Sequence, residues 1–222
     1  MQIAIGLYPG FTALDAIGPY QVLTQVPDSG VTVCAAEKGR LADDNDLLHF
    51  DIEHTFDEVP TPDVLLVPGG FITRRLAVAG NPVVEWIRNA HPHTTYTTSV
   101  CTGALLLGAA GVLDGLEATT HWSAYDDLAR LGATPTEQRV VIQGKVITGA
   151  GVSAGIDMAL TLAGLIWGDE IAQAIQLGIE YDPQPPYDAG APSKATAEIL
   201  ELVSTVAAAR RGAAEGVAQT SS

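Results

Sequence analysis

The stretch Thr94-Thr95-Tyr96-Thr97-Thr98-Ser99-Val100-Cys101-Thr102-Gly103-Ala104-Leu105-Leu106-Leu107-Gly108-Ala109-Ala110 changes character at its middle. Up to Val100 it is β-branched and aromatic, the composition of a strand. From Gly103 it is a run of Ala and Leu with no polar face, which reads as a buried helix. Only Cys101-Thr102 lies between the two. A strand that meets a buried helix across so short a turn belongs to an α/β layer protein. Such a turn projects its side chain clear of the sheet, the layout of a nucleophile elbow, and Gly103 lets the helix pack closely behind it.

Working outward, strands and helices alternate. Met1–Leu7 reads as a strand ended by Tyr8-Pro9-Gly10, and Leu14–Gln25 carries apolar residues at helical spacing. Val31–Ala36 is a second strand, and acidic Asp43–Phe50 is a hairpin or loop with short strand pieces. Asp63–Val67 is a buried strand running into Pro68-Gly69-Gly70, and Asn81-Pro82 opens a helix to about Ala90. Beyond the elbow, Ala118–His121 and Val140–Ile142 read as strands, and Gln143-Gly144-Lys145 turns the chain into Val146–Thr148. Glycine-rich Gly149–Gly155 then leads into a helix over Ile156–Trp167, continued by Glu170–Leu177. Tyr181–Pro192, with four prolines, is an extended surface segment, and Thr196–Arg211 is a terminal helix. The expectation is one domain over residues 1–212, a frayed tail over 213–222, and a mostly parallel sheet with right-handed crossovers. Reactive groups in such sheets gather at the carboxyl ends of strands, where Gly69-Gly70, Cys101-Thr102-Gly103 and Gly149–Gly155 all fall.

Composition narrows the function classes. The 222 residues are 47% apolar but only 6% aromatic, so the core is built from Ala, Val, Leu and Ile. A net charge of −15 repels phosphate backbones and anionic lipid, which argues against nucleic-acid and membrane partners. Met1–Leu7 lacks the pattern of a signal peptide, and the most apolar later stretch, Ala154–Trp167, is too short to span a bilayer. With only Cys34 and Cys101 no disulfide framework is on offer, and a cytoplasmic setting with reduced thiols is the expectation.

Cys101 is the first candidate for chemistry. Backbone N–H groups at a helix start are expected to favour its thiolate and lower its pKa; the alternative is an inert core thiol. Mid-strand Cys34 has only the inert reading. Asp15, among apolar neighbours just after the first strand, is either a helix N-cap or, if it faces Cys101, an acid kept protonated by desolvation and the nearby thiolate. Gly69-Gly70 is either a plain turn or a source of N–H groups that pair with the Thr102 N–H around a developing anion, with Gly149–Ser153 adding a third contact. His49, His54, His91, His93 and His121 form no metal-ligand pattern. His91-x-His93 reads as solvated surface, and His121 as a satisfied structural histidine near the site.

Taken in order, Leu14-Asp15-x-x-Gly18-Pro19, Val67-Pro68-Gly69-Gly70, Ser99-Val100-Cys101-Thr102-Gly103 and Ala118-Thr119-Thr120-His121-Trp122 resemble the DJ-1/PfpI superfamily. Gly151–Asp157 and Glu180-Tyr181-Asp182-Pro183-x-Pro185-Pro186 are similar to its isonitrile hydratase branch. The resemblance covers the chain to the proline-rich segment. It implies an α/β flavodoxin-like three-layer sandwich with a mostly parallel central sheet, a homodimer, and no metal or organic cofactor. It further implies Cys101 as nucleophile, Asp15 as its acid/base partner, and Gly70, Thr102 and Val152 as contacts around the sulfur or the developing charge. Ile17, Phe71 and Val152, with Ser153 beside them, would receive a small-molecule substrate with a hydrophobic R group. Two positions depart from relatives of this kind. Thr102 stands where proteases and deglycase-like members carry a histidine, and Ala150 stands where hydratases have glycine. Rival readings are a glyoxalase or deglycase acting on an α-oxoaldehyde, and a non-catalytic thiol or ligand sensor like the sensor half of AraC-type regulators. No helix-turn-helix pair follows here.

Overall fold

The computed structural model describes the backbone of residues 1–219 and the side chains of residues 1–210. In chain order the strands are β1 (Gln2–Gly6), β2 (Gly30–Ala35), β3 (Gly39–Ala42), β4 (His49–Ile52), β5 (His54–Thr55), β6 (Val64–Val67), β7 (Tyr96–Val100), β8 (Glu117–Ala118), β9 (Thr134–Pro135), β10 (Val140–Gln143) and β11 (Val146–Gly149). The helices are α1 (Ala13–Leu23), α2 (Thr73–Leu76), α3 (Pro82–Ala90), α4 (Gly103–Ala109), α5 (Tyr125–Arg130), α6 (Ala154–Trp167), α7 (Asp169–Gly178) and α8 (Ala197–Gln219). Residues divide into two compact units, Met1–Ile179 and a second beginning at Glu180, where the sequence reading takes 1–212 as one domain.

Seven strands of the first unit form one sheet in the order β10-β11-β7-β6-β1-β2-β5, parallel except for the β10–β11 hairpin. It is the mostly parallel α/β sheet that the strand–helix alternation predicts, in the flavodoxin-like form that the family resemblance implies. Every residue of β6 is buried, as a central strand covered on both faces requires. β7 is polar in composition yet buried from Thr97 to Val100. Both threonine hydroxyls find partners: Thr98 Oγ1 donates to the Leu65 carbonyl at 3.0 Å, and Thr97 Oγ1 meets Thr94 Oγ1 and His91 Nδ1, each at 2.8 Å, whereas Ser99 Oγ is buried without one. His91 is thus part of a packed polar cluster and not simply solvated surface. Right-handed crossovers put α1 and α3 on opposite faces. α6 packs against α1 on one face, and α4 against α3 on the other. The chain turns to β2 on one side of β1 and later to β6 on the other, so β1 and β6 flank the switch point where ligand crevices form in such sheets.

One expected strand differs. Ala118–His121 pairs only at Glu117–Ala118, in a separate ribbon with β9. Thr119 and Thr120 leave it because they bond elsewhere: the Thr119 N–H donates to Thr148 Oγ1 at 2.9 Å and Thr120 Oγ1 to the Cys101 carbonyl at 2.8 Å. Asp43–Phe50 joins β3 and β4 in an antiparallel ribbon, as expected of a hairpin.

The second unit runs without strand or helix to α8, which continues to Gln219 through most of the segment read as a frayed tail; residues 220–222 lie outside the described residues. Ile199, Leu202, Val203 and Val206 make an exposed apolar stripe along α8. No helix among the described residues is long and apolar enough to cross a membrane.

Leu106 in α4 is fully buried, whereas Leu47 is 84% exposed. Leu106→Ala should cost about 2–5 kcal/mol by denaturant unfolding. Leu47→Ala should stay within about 0.5 kcal/mol. Similar costs at both positions would contradict the layer arrangement.

Candidate active site

Cys101 holds the turn between β7 and α4 with φ +56°, the left-handed region that non-glycine residues seldom occupy. The turn is pinned on both sides of the thiol. The Cys101 N–H is shared between the carbonyls of Gly149 (3.0 Å) and Ala150 (2.8 Å). Its carbonyl accepts from Thr120 Oγ1. Behind it the backbone is packed too tightly for a side chain: a Cβ on Gly103 would lie 2.5 Å from the Val67 carbonyl oxygen, and one on Gly69 would lie 2.6 Å from the Thr102 nitrogen. The β6 and β7 exits can converge only with glycine at these two places.

Asp15 is completely buried in the first turn of α1. It does not cap that helix, whose N-cap is Thr12. Its Oδ2 accepts the Gly69 N–H at 2.8 Å, which ties α1 to the end of β6. Its Oδ1 is buried with no partner of good hydrogen-bond geometry among the described residues. The Cys101 thiol is the hydrogen-bonding group set against this carboxyl. Burial raises Asp15 to about 7, opposed by the Gly69 N–H and the thiol and reinforced by Asp44.

For Cys101 the expected lowering is overturned. The backbone N–H groups of Thr102 and Val152 do bond the sulfur and pull its pKa down, but burial and the charge of Asp15 outweigh them and push the thiol well above its ordinary value. α4 is only seven residues long, so its dipole adds little. At neutral pH the thiol is therefore protonated and Asp15 is divided between its acid and its carboxylate.

The Gly70 N–H, expected at the sulfur, donates instead to Thr102 Oγ1 at 3.0 Å, and that hydroxyl donates back to the Gly70 carbonyl at 3.1 Å. A threonine at this position thus consumes the donor. Ile17 and Phe71 are half-buried. Ile17 lies two residues beyond Asp15 and so not on the same helix face. Ser153 is exposed, and its Oγ accepts from Arg139 Nη2 at 3.2 Å. His121 stands over the glycine loop, with Cδ2 3.0 Å from where a Gly151 Cβ would sit, and its Nδ1 is engaged by Ser123 at 2.9 Å. Three neighbours escape a reading of the sequence. Tyr8 donates its hydroxyl to the Pro68 carbonyl at 2.6 Å, and burial, Asp15 and Cys101 push its pKa up. Asp44 accepts from Thr12 Oγ1 at 2.9 Å. Thr120 is the third. Tyr8 begins a Tyr-Pro-Gly turn and Asp44 sits in an acidic loop, so both look like punctuation. No three His, Cys, Asp or Glu side chains among the described residues group as metal ligands would.

This arrangement has recognisable relatives. The DJ-1/PfpI family matches residues 1–164. The chain belongs to that family. Among DJ-1/PfpI proteins, the isonitrile hydratase of Pseudomonas putida is 41% identical over 201 residues, which cover 90% of this chain and 87% of that one. An HTH-type transcriptional regulator of Pseudomonas aeruginosa is 33% identical over 112 residues, half of this chain but only 33% of the regulator. A THiJ/PfpI family protein from Pseudomonas syringae superposes with a TM-score of 0.87 at 36% identity, covering 95% of this chain and 89% of that one. Drosophila melanogaster DJ-1beta shares the fold, with a TM-score of 0.73 at 21% identity over 81% of this chain and 97% of its own.

The carboxyl has a consequence for stability. With Asp15 at about 7 when folded and 3.8 as its ordinary value, the folded chain keeps a proton across that interval which the unfolded chain has released. Its contribution is full below about pH 4 and is lost as pH rises through about 7. Asp15→Asn keeps an acceptor for Gly69 but cannot titrate. Denaturant unfolding across this window should show wild-type stability falling by up to about 1.4 kcal/mol per pH unit relative to the variant. Parallel profiles would show that Asp15 ionises freely.

Proposed function

We propose that the protein hydrates an isocyanide to an N-substituted formamide, with Cys101 as nucleophile and Asp15 as the single acid/base. The observation that carries this reading is the isolated pair, a buried carboxyl with an unpartnered oxygen set against a buried thiol. Likeness to an isonitrile hydratase across nearly the whole chain supports the same reaction.

The pair fits the chemistry in a way that balances. An isocyanide has an electrophilic terminal carbon that must gain both a nucleophile and a proton. Asp15 as carboxylate first takes the Cys101 thiol proton, and the thiolate so formed adds to that carbon while the carboxylic acid protonates it. The product is a thioimidate, R–N=CH–S–Cys101, and Asp15 is left ionised. Asp15 then takes a proton from water as the hydroxide adds to the same carbon, and passes that proton to nitrogen. Collapse of the adduct returns the hydroxyl proton to Asp15, expels the thiolate and frees R–NH–CHO. One carboxyl group alternates between acid and base, which a value near 7 suits. The Thr102 and Val152 N–H groups around the sulfur favour the thiolate as it forms and as it leaves. His121 has no part in these steps.

The reaction as written needs no metal or organic cofactor. The protein would act on a small molecule as a homodimer, as its family resemblance implies, in the cytoplasmic setting that its two thiols suggest, with half-buried Phe71 and Val152 as the apolar rim for the R group. The thiol-sensor reading has an observation of its own. Half the chain is 33% identical to a third of a transcriptional regulator, which favours ligand sensing over oxidation of a thiol that is buried and raised in pKa.

Turnover of a simple aryl isocyanide separates the readings. Wild type should form the formamide, Cys101→Ala should form none, and Asp15→Asn should lose about 10²–10⁴ in kcat. Product from Cys101→Ala at the wild-type rate would remove the thioimidate. A wild type inert to the isocyanide, but turning over methylglyoxal, would move the assignment to the glyoxalase reading. Inertness to both would leave the sensor.

A further inference from the structure

A cavity of about 600 Å³ opens at the carboxyl ends of β1 and β2, apart from the Asp15–Cys101 pair. Leu7, Ala35, Leu41 and Phe56, each buried, form its apolar floor. Its rim is polar: Glu37, Lys38 and Arg40 on one side, and on the other the opening turn of α3, Asn81-Pro82-Val83. The size lies within the roughly 300–1,000 Å³ usual for small-molecule sites. Tyr8 is its wall towards the catalytic pair, lining the cavity while its hydroxyl bonds the Pro68 carbonyl.

The rim charges are not equivalent. Lys38 is bound to Glu58 at 2.6 Å. Arg40 bonds no acid among the described residues; Asp51 is its cross-strand neighbour in the β3–β4 ribbon but forms no ion pair with it. The α3 start adds little to this, since Pro82 has no N–H and the Val83 N–H already donates to Asn81 Oδ1 at 3.2 Å. Arg40 is thus the rim cation left without an acid partner, and beside an apolar hollow its guanidinium is the group that would bind a negative head, held away from the Glu37 carboxylate on the same rim.

We infer that this cavity is a second ligand site, distinct from the catalytic pair, for a small organic anion with an apolar body and one carboxylate or sulfonate head. The body lies on Leu7, Leu41 and Phe56, and the head meets Arg40. Because Tyr8 is a shared wall, an occupant presses on the residue that positions Pro68, whose neighbour Gly69 holds Asp15.

Anilinonaphthalene sulfonate, an aromatic body with one sulfonate, is a suitable probe, and its fluorescence reads binding without any turnover. Wild type should show one saturable site that weakens as salt is added. Ala36→Trp, at an exposed rim position, places an indole in the hollow and should weaken binding at least tenfold. Arg40→Gln, an exposed change that leaves the core untouched, should weaken it about three- to fivefold and flatten the salt dependence. Alkylating Cys101 should leave both affinity and stoichiometry as they are. The inference is overturned if wild type shows no saturable binding, if both variants bind like wild type, or if alkylation removes the site. Loss in Ala36→Trp with no change in Arg40→Gln would overturn the anion assignment.

Discussion

The hydrogen bond from the Gly69 N–H to Asp15 Oδ2 is the contact on which the site turns. A carboxyl group with no exposed surface is costly to place in a core unless something bonds it. Here a single backbone donor does so, from the end of the strand beside β1, and it leaves the second oxygen unbonded. That donor is within reach only because Gly69 has no side chain to strike Thr102 or Asp15 itself. Loss of the contact would leave the start of α1 tied to the end of β6 by the Thr12 N–H, which donates to the Gly69 carbonyl at 2.8 Å, and would leave the acid without its backbone partner.

The same economy governs the sulfur. Cys101 sits at a positive φ because its N–H is shared by Gly149 and Ala150 and its carbonyl is held by Thr120. The surroundings enforce a conformation that an ordinary residue avoids. Burial resists ionisation of the thiol and the acid alike, while the Thr102 and Val152 N–H groups help the thiol alone. The thiol thus rests protonated, and the carboxyl beside it is the group placed to take that proton.

Much of this was legible in the chain. The all-buried β6, the elbow and the Pro82 helix start are local signals, written by hydrophobic runs, glycine breaks and proline placement. Asp15, Cys101 and Thr102 stood out because each breaks its local pattern. What escaped depends on contacts between distant segments. Tyr8 meets Pro68, Thr120 meets Cys101 and Asp44 meets Thr12, and none of these pairings has a sequence spacing that announces it. Two expectations failed for the same reason. The Gly70 N–H was claimed by a side chain from another turn, and the pKa of Cys101 was set by how deeply the turn is buried and not by the helix that follows it.

The sheet ends on β5, only two residues long, and on β10, four residues that fold back antiparallel in a hairpin. Wholly apolar β6 is interior and both border strands are short, so neither border offers the long run of free N–H and carbonyl groups on which another chain can template itself. A protein made so largely of Val, Ile, Leu and Ala thus carries its aggregation-prone sequence where no backbone is left to recruit a neighbour.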